Sequence, residues 1–281
     1  MRPPSGAPLQ LNSETDFVAR NGLFQSLAQR AAAGALAALP RALDTVTSEA
    51  AAGEGSASAL AGAAALAAAP LPGGLVGGAG VGATPCTTAE GVAGVIAQVR
   101  ENCVLRRASA LGGPGCLVVP YAHNSPAAGL GSIGVLVALR RSGGGGAAAP
   151  APLPASPALA ALGRRLAMHI AAAAPAYLSR AGVPAAALAR ERAVLGEQLA
   201  KDTAGKPPAV AQKILEGKLG KFFSECVLLE QVFALGDGSV KVGKWVEAEA
   251  RAAGAGDVEV AGFACFRVGA GGGSGNAPAP A

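Results

Sequence analysis

Residues 103–139 read CVLRRASALGGPGCLVVPYAHNSPAAGLGSIGVLVAL, and this stretch decides the fold class. Cys103–Ala110 has β-branched, alternating character. Gly112-Gly113-Pro114-Gly115 is a turn, and Cys116–Tyr121 is a second strand. After a loop, Ser132–Leu139 is apolar enough for a strand central in a sheet. The short connections predict an antiparallel meander. Helical periodicity flanks it on both sides, so the chain is expected to be α+β.

On the N-terminal side, Ala89–Glu101 puts Val92, Val95, Ile96 and Val99 on one helical face. Further out, Leu9–Asn12 reads as a short extended segment. Ser13 or Thr15 can cap the helix that follows, with Glu14 and Asp16 favoured near its positive end. Phe17, Phe24, Leu27 and Ala28 recur at helical spacing, which predicts one helix running to about Ala38, before Pro40.

On the C-terminal side, Leu159, Leu162, Leu166 and Ile170 form the stripe of a helix ending near Pro175. Val183-Pro184 starts another, to about Lys201. Gly205-Lys206-Pro207-Pro208 is a tight break, and Ala209 to about Ser224 is helical with Leu215, Leu219 and Phe222 on one face. Two such helices form an antiparallel hairpin. Arg190, Arg192, Lys201, Lys213, Lys218 and Lys221 are expected on its outer, solvated face. VLLEQVFAL at 227–235 reads as extended or irregular, Val242–Ala253 as a short helix containing Trp245, and Val258–Val268 as a terminal strand.

Composition limits what this framework can be. Of 281 residues, 51% are hydrophobic but only 4% aromatic, with 41 Gly and 20 Pro. Much of the apolar content is Ala, so a large aromatic-rich core is excluded. Gly follows no three-residue period, so the chain is not collagen-like. Low complexity concentrates in Thr47–Pro85, Ser142–Pro157 and a tail from Gly269 to Ala281, which are expected to be flexible or disordered. No charge falls between Glu54 and Glu90, but Pro70, Pro72, Gly73 and Gly74 break any spanning helix, so an insert is expected rather than a membrane segment. Met1–Leu11 lacks the apolar core of a signal peptide. The net charge of +5 permits an acidic partner without implying nucleic acid.

Candidate chemistry is sparse. Cys86, Cys103, Cys116, Cys226 and Cys265 are widely spaced without a CxxC pair. Neither His123 nor His169 has an acidic cluster beside it, so no metal site or cofactor is expected. A triad from Ser13 or Ser132 with His123 and Asp16 lacks a GxSxG elbow, and the glycine runs lack the Lys-Ser/Thr of a phosphate loop. Two places stand out. In Asn12-Ser13-Glu14-Thr15-Asp16-Phe17-Val18-Ala19-Arg20-Asn21, an aromatic in the first helical turn beside a carboxylate can project from the domain, although periodicity alone puts Phe17 in the core. Tyr121-Ala122-His123 ends a strand before a loop, where a histidine is either a contact residue or an ordinary surface one.

NSETDFVARNGLF (12–24) resembles the signature of the elongation factor Ts family, the nucleotide exchange factors of elongation factor Tu. VRENCVLRR, YAH followed by SIGVLVAL, LAMHIAAAAPAYLSRAGVP, KPPAVAQKILEGKLGKFFSECVLLEQVF and VEVAGFACFRVG resemble successive family segments in the family's order. The resemblance covers most of 9–269. It implies an α+β fold of two helix-on-antiparallel-sheet core subdomains with a protruding coiled-coil hairpin. The corresponding division is 1–115 with the insert 47–85; 116–180 and 222–268 with the linker 142–157; 181–221 as the hairpin; and 269–281 as a tail.

The resemblance also implies a role. Asp16, Phe17 and His123 would contact the GTPase domain of elongation factor Tu, with Val99 at the helix end preceding the ENxxxRR pattern. The aromatic would wedge near the partner's Mg²⁺ site and loosen its phosphate loop, so that GDP leaves without covalent chemistry. Asn12, Thr15, Arg20 and Asn21 belong to the motif, and His169 would pack or hydrogen-bond within the core. Elongation factor Tu would be the partner, with no direct nucleic-acid or membrane contact. The alternative is a protein that binds elongation factor Tu or the ribosome without exchanging nucleotide.

Two departures from the family pattern shape further expectations. Only eleven residues precede Asn12, and Pro3, Pro4 and Pro8 occupy the place of the family's strand. A version lacking the N-terminal ubiquitin-associated-like domain and that strand is therefore expected. The long inserts suggest an organellar, green-algal type, in the mitochondrion with the chloroplast as alternative.

Overall fold

The computed structural model describes residues 5–39, 46–48, 60–61, 63–74, 85–142, 151–202 and 208–269. In chain order the first half holds β1 (Ser5–Gly6), β2 (Leu9–Ser13), α1 (Asp16–Ala19), α2 (Gly22–Ala38), β3 (Val46–Ser48), β4 (Leu60–Ala61), α3 (Ala63–Ala68), β5 (Pro70–Leu71), β6 (Cys86–Thr87) and α4 (Thr88–Val99). Then follow β7 (Cys103–Ser109), β8 (Leu111–Gly112), β9 (Leu117–His123), β10 (Ile133–Arg141), α5 (Pro157–Ala173), α6 (Ala185–Asp202), α7 (Pro208–Cys226), α8 (Val242–Ala252) and β11 (Val258–Arg267). Helices and mainly antiparallel sheets thus make the chain α+β.

The three strands of 103–139 do not form one meander. β7 belongs to a sheet ordered β2-β7-β4, whereas β9 and β10 belong to a sheet ordered β3-β11-β10-β9. The break lies at Gly112, whose φ of +132° suits glycine alone and redirects the chain between the sheets. Strand β2 (Leu9–Ser13) covers the segment Leu9–Asn12 that was expected to be extended, so the prolines before it do not remove a strand from this place. It pairs antiparallel with β7 from Leu9↔Ala108 to Ser13↔Cys103, because Pro8 precedes the ladder and leaves its donors intact.

The larger sheet is buried on both faces, and the period of two sorts its residues. Val135, Val137 and Leu139 of β10 join the core formed with Leu159, Leu162, Leu166 and Ile170 of α5 and with Val246 of α8. Leu136 and Ala138 point the other way, against Leu111, Cys116, Ala261 and Ala264. The ladder to β11 shifts between Ala138 and Leu139, where Ala261 is the extra residue of a bulge. Phe233 and Trp245 stack at 3.7 Å, 12° from parallel, at the edge of the first core. A second core under β2 and β7 collects Leu11, Val18, Phe24, Leu27, Leu71 and Val95.

Parts of the inserts are structural. β3 pairs parallel with β11, and β4 pairs with β7. Leu66 and Leu71 are buried. The remainder of Thr47–Pro85 lies outside the described residues. In the linker, Leu153 is buried and its N–H donates to Gly115 O at 3.2 Å, while 143–150 lie outside. The tail is outside from residue 270 onward.

Helices α6 and α7 contact each other, and Leu195, Leu199 and Leu219 are buried. The break at 203–207 is outside the described residues. At the C-terminal end of α7 the backbone is tied to the core. Ala176 N–H and Tyr177 N–H donate to Cys226 O, and Leu228 N–H returns to Tyr177 O. Arg180 donates to both carboxylate oxygens of Glu230, which also accepts from Lys241 Nζ at 2.7 Å. Those donors hold the Glu230 carboxyl below the ordinary glutamate range.

Candidate functional site

The segment 12–21 is two capped pieces rather than the start of one long helix. Thr15 is extended (φ −123°, ψ 156°), and its Oγ1 accepts from Val18 N–H, which starts α1. Asn21 is extended again, and its Oδ1 accepts from Leu23 N–H at 2.8 Å, which starts α2. Arg20 sits between them as the C-cap of α1. This interruption changes the helical phase, so Phe17 leaves the stripe that carries Phe24 and Leu27 inward. Val18 is buried, whereas Phe17 is 86% exposed. Asp16 beside it is also exposed, in the first turn, where a carboxylate suits the helix dipole. Leaving a phenylalanine in water forgoes about 1.5–3 kcal/mol of burial, so periodicity alone misplaced it.

A residue not singled out from sequence fixes this turn. Helix α4 ends at Arg100 in the left-handed region (φ 59°), and the next residue, Glu101, turns its carboxylate back to α1. Glu101 Oε2 accepts from Thr15 N–H at 3.1 Å, and Oε1 from Thr15 Oγ1 at 2.7 Å. The hydroxyl therefore donates to Glu101 and accepts from Val18 at once. A carboxylate two residues past the last helical residue and just before a strand was the available signal. Val99, the last residue of α4, is half-buried against the core that contains Val18. The turn that carries Asp16 and Phe17 and the helix end that carries Val99 are thereby joined, through the Glu101 carboxylate and a shared core. Asn12, in β2, accepts from Gln10 Nε2 at 3.2 Å.

His123 lies apart from this group, exposed at the end of β9 in the other sheet. Gln29 of α2 links the two regions, donating from Nε2 to Ala128 O in the loop after His123 at 3.1 Å. His169 is enclosed, at 1% exposure. Its Nδ1 accepts from Ala234 N–H and its Nε2 meets Gln231 Oε1 at 3.0 Å. Burial lowers its pKa from the ordinary histidine value.

Among the described residues, no group of three His, Cys, Asp or Glu side chains could hold a metal ion. No described helix is long and apolar enough to cross a membrane. The five cysteines are free thiols, and burial pushes the Cys226 thiol up to about 11. The feature that stands out on the described surface is Phe17, a large aromatic side chain left 86% exposed.

Comparison with known proteins shows the family of the chain. A family model described as Elongation factor TS matches residues 83–270. The chain is 41% identical over 268 residues to Elongation factor Ts of Rhodospirillum rubrum, covering 95% of this chain and 72% of that protein. It is 36% identical to the protein of that name from Paramagnetospirillum magneticum, covering 95% and 70%, and 37% identical to that of Gluconobacter oxydans, covering 94% and 70%. These relatives are bacterial, and they overturn the expected placement in the mitochondrion with the chloroplast as alternative.

Proposed function

The chain belongs to the elongation factor Ts family, and from that premise we propose that it promotes GDP release from elongation factor Tu. The observation that carries this reading is Phe17, 86% exposed on a helical turn that is capped by Thr15 and bolted to Glu101. A rigidly held aromatic loses little conformational entropy when it enters a partner. Asp16 and Val99 flank the point of contact, and His123 supplies a second contact to the same GTPase domain. The partner's Mg²⁺ and phosphate site is disturbed by the wedge, and binding of the factor and of nucleotide weaken each other reciprocally. The chain acts by differential binding and makes no covalent bond.

Within this reading, α6 and α7 form an antiparallel coiled-coil arm, 181–221, that can reach the partner. Residues 1–115 form one core subdomain, and 116–180 with 222–268 the other. The buried contacts at the root of α7 support an arm whose direction is set by the core.

The test is release of fluorescent GDP from purified elongation factor Tu. The wild-type chain accelerates release. Phe17→Ala lowers that acceleration at least ten-fold with an unchanged circular dichroism spectrum, since an exposed side chain contributes little to folding. An undiminished rate in the variant would remove the wedge. Stable co-elution with elongation factor Tu and no effect on GDP release, by the wild type, would favour the non-exchanging alternative.

A further inference from the structure

We propose that Tyr121 is a positioning residue for the partner contact of His123, acting by fixing which imidazole nitrogen carries the proton; this rests on the reading of His123 as a contact. Tyr121 and His123 are two apart on β9, so both side chains stand on one face of the strand. The Tyr121 ring is half-buried against the main core, and its hydroxyl reaches the strand end, 3.0 Å from His123 Nδ1. The two rings lie 6.2 Å apart and tilted by 39°. A phenol anchored by its ring in the core is a fixed post, and a surface imidazole hydrogen-bonded to it is no longer a free rotor.

The backbone beneath the ring is held as well. His123 O accepts from Ser132 N–H at 2.9 Å. A Cβ on Gly131 would lie 2.5 Å from that same oxygen, so only glycine permits the approach. Asn124 then turns away at a φ of +50°. An ordinary surface histidine needs none of these constraints.

The chemistry selects a direction. A phenol hydroxyl donates more readily than it accepts, and a neutral imidazole accepts at one nitrogen and donates at the other. With the Tyr121 hydroxyl donating to Nδ1, the proton sits on Nε2. On an exposed ring whose other nitrogen is engaged, that N–H is the donor left for a carbonyl or side-chain amide oxygen on the partner. Without Tyr121 the ring samples both tautomers and several rotamers, and binding must then select one.

The experiment combines binding and spectroscopy on the full chain. Fluorescent GDP release from elongation factor Tu is measured against factor concentration for wild type, Tyr121→Phe and His123→Ala. Tyr121→Phe keeps the ring in the core and removes only the hydroxyl. It is expected to raise the half-saturating concentration about five-fold, the size appropriate to one side chain that must be ordered on binding. In ¹⁵N-histidine spectra the wild-type His123 shows the Nε2–H tautomer, and Tyr121→Phe shifts it towards an averaged signal. A raised half-saturating concentration in His123→Ala with no change in Tyr121→Phe overturns the role of Tyr121. No change in His123→Ala shows instead that the contact reading is wrong. Should Tyr121→Phe fail to fold, the wild-type spectrum decides alone, and an averaged tautomer signal there overturns the proposal.

Discussion

At the scale of single residues, two histidines show how surroundings assign a role. His123 is exposed and steered by a phenol, whereas His169 is enclosed by Gln231, the Ala234 backbone and the tilted ring of Phe233. Burial holds the folded-state pKa of His169 below 6.5, so as pH falls the unfolded chain takes up a proton before the folded one does. Stability is therefore full above about pH 6.5 and is lost as pH drops through the window beneath it. The cause is burial, which disfavours the charged imidazolium in the enclosed site. The expected result is a melting temperature that is flat above neutrality and declines below pH 6.5, with a flatter profile in His169→Gln. Identical profiles for the two proteins would rule out His169 as the source. Glu230 acts in a separate, lower window, because its pKa is held below the ordinary glutamate value of 4.5.

At the scale of elements, the low-complexity insert proves to be partly framework. Helix α2 approaches β5 so closely at Gly34 that a Cβ there would collide with Pro70 O, which is backbone and cannot swing aside. Arg30, one turn earlier on α2, donates from Nε to Pro72 O at 2.6 Å. Gly34→Ala is expected to destabilise the protein by about 1–3 kcal/mol through overpacking, although alanine normally favours a helix. Urea denaturation checks this, and a variant as stable as the wild type would show that the insert is not packed on α2. Helix existence was legible in sequence because apolar residues recur at 3.6-residue spacing, as Leu159, Leu162, Leu166 and Ile170 do in α5. The break after α1 was less so, because Phe17 and Phe24 happen to fall at a helical interval although the cap at Asn21 separates them. The strands that the insert contributes are too short to carry a period.

At the scale of the whole molecule, a buried polar clasp joins the two principal sheets. Gln10 of β2 is 3% exposed, accepts from Arg107 Nε at 2.8 Å and donates to Arg267 O of β11 at 3.3 Å. The Arg107 guanidinium lies 4.7 Å from the centroid of Phe266. Gln10→Ala removes both of these part-buried hydrogen bonds and leaves a gap where the buried amide stood, which is expected to cost about 1–3 kcal/mol. Denaturation followed by fluorescence of Trp245, the one tryptophan, and by far-UV circular dichroism is expected to give one coincident transition at a lower midpoint. An unshifted midpoint would show that the clasp contributes nothing to holding the sheets together. Under the proposed exchange role the clasp also matters there, since Phe17 on α1, directly after β2, and His123 at the end of β9 belong to regions of different sheets that must keep a fixed relation to meet one partner.

The α+β class, the helical stripes, the strand runs and the motif order that identifies the family are all legible along the chain. These depend on local periodicity and on residue types at fixed spacing, and both are properties of neighbours along the chain. Folding in three dimensions is what turns Phe17 to water, parts β7 from β9, brings Glu101 to the turn before Phe17 and sets Tyr121 against His123 across one residue of strand. Each of these rests on which distant groups compete for the same space or the same hydrogen bond. A carboxylate 86 residues from Thr15 leaves no trace in the local pattern around it.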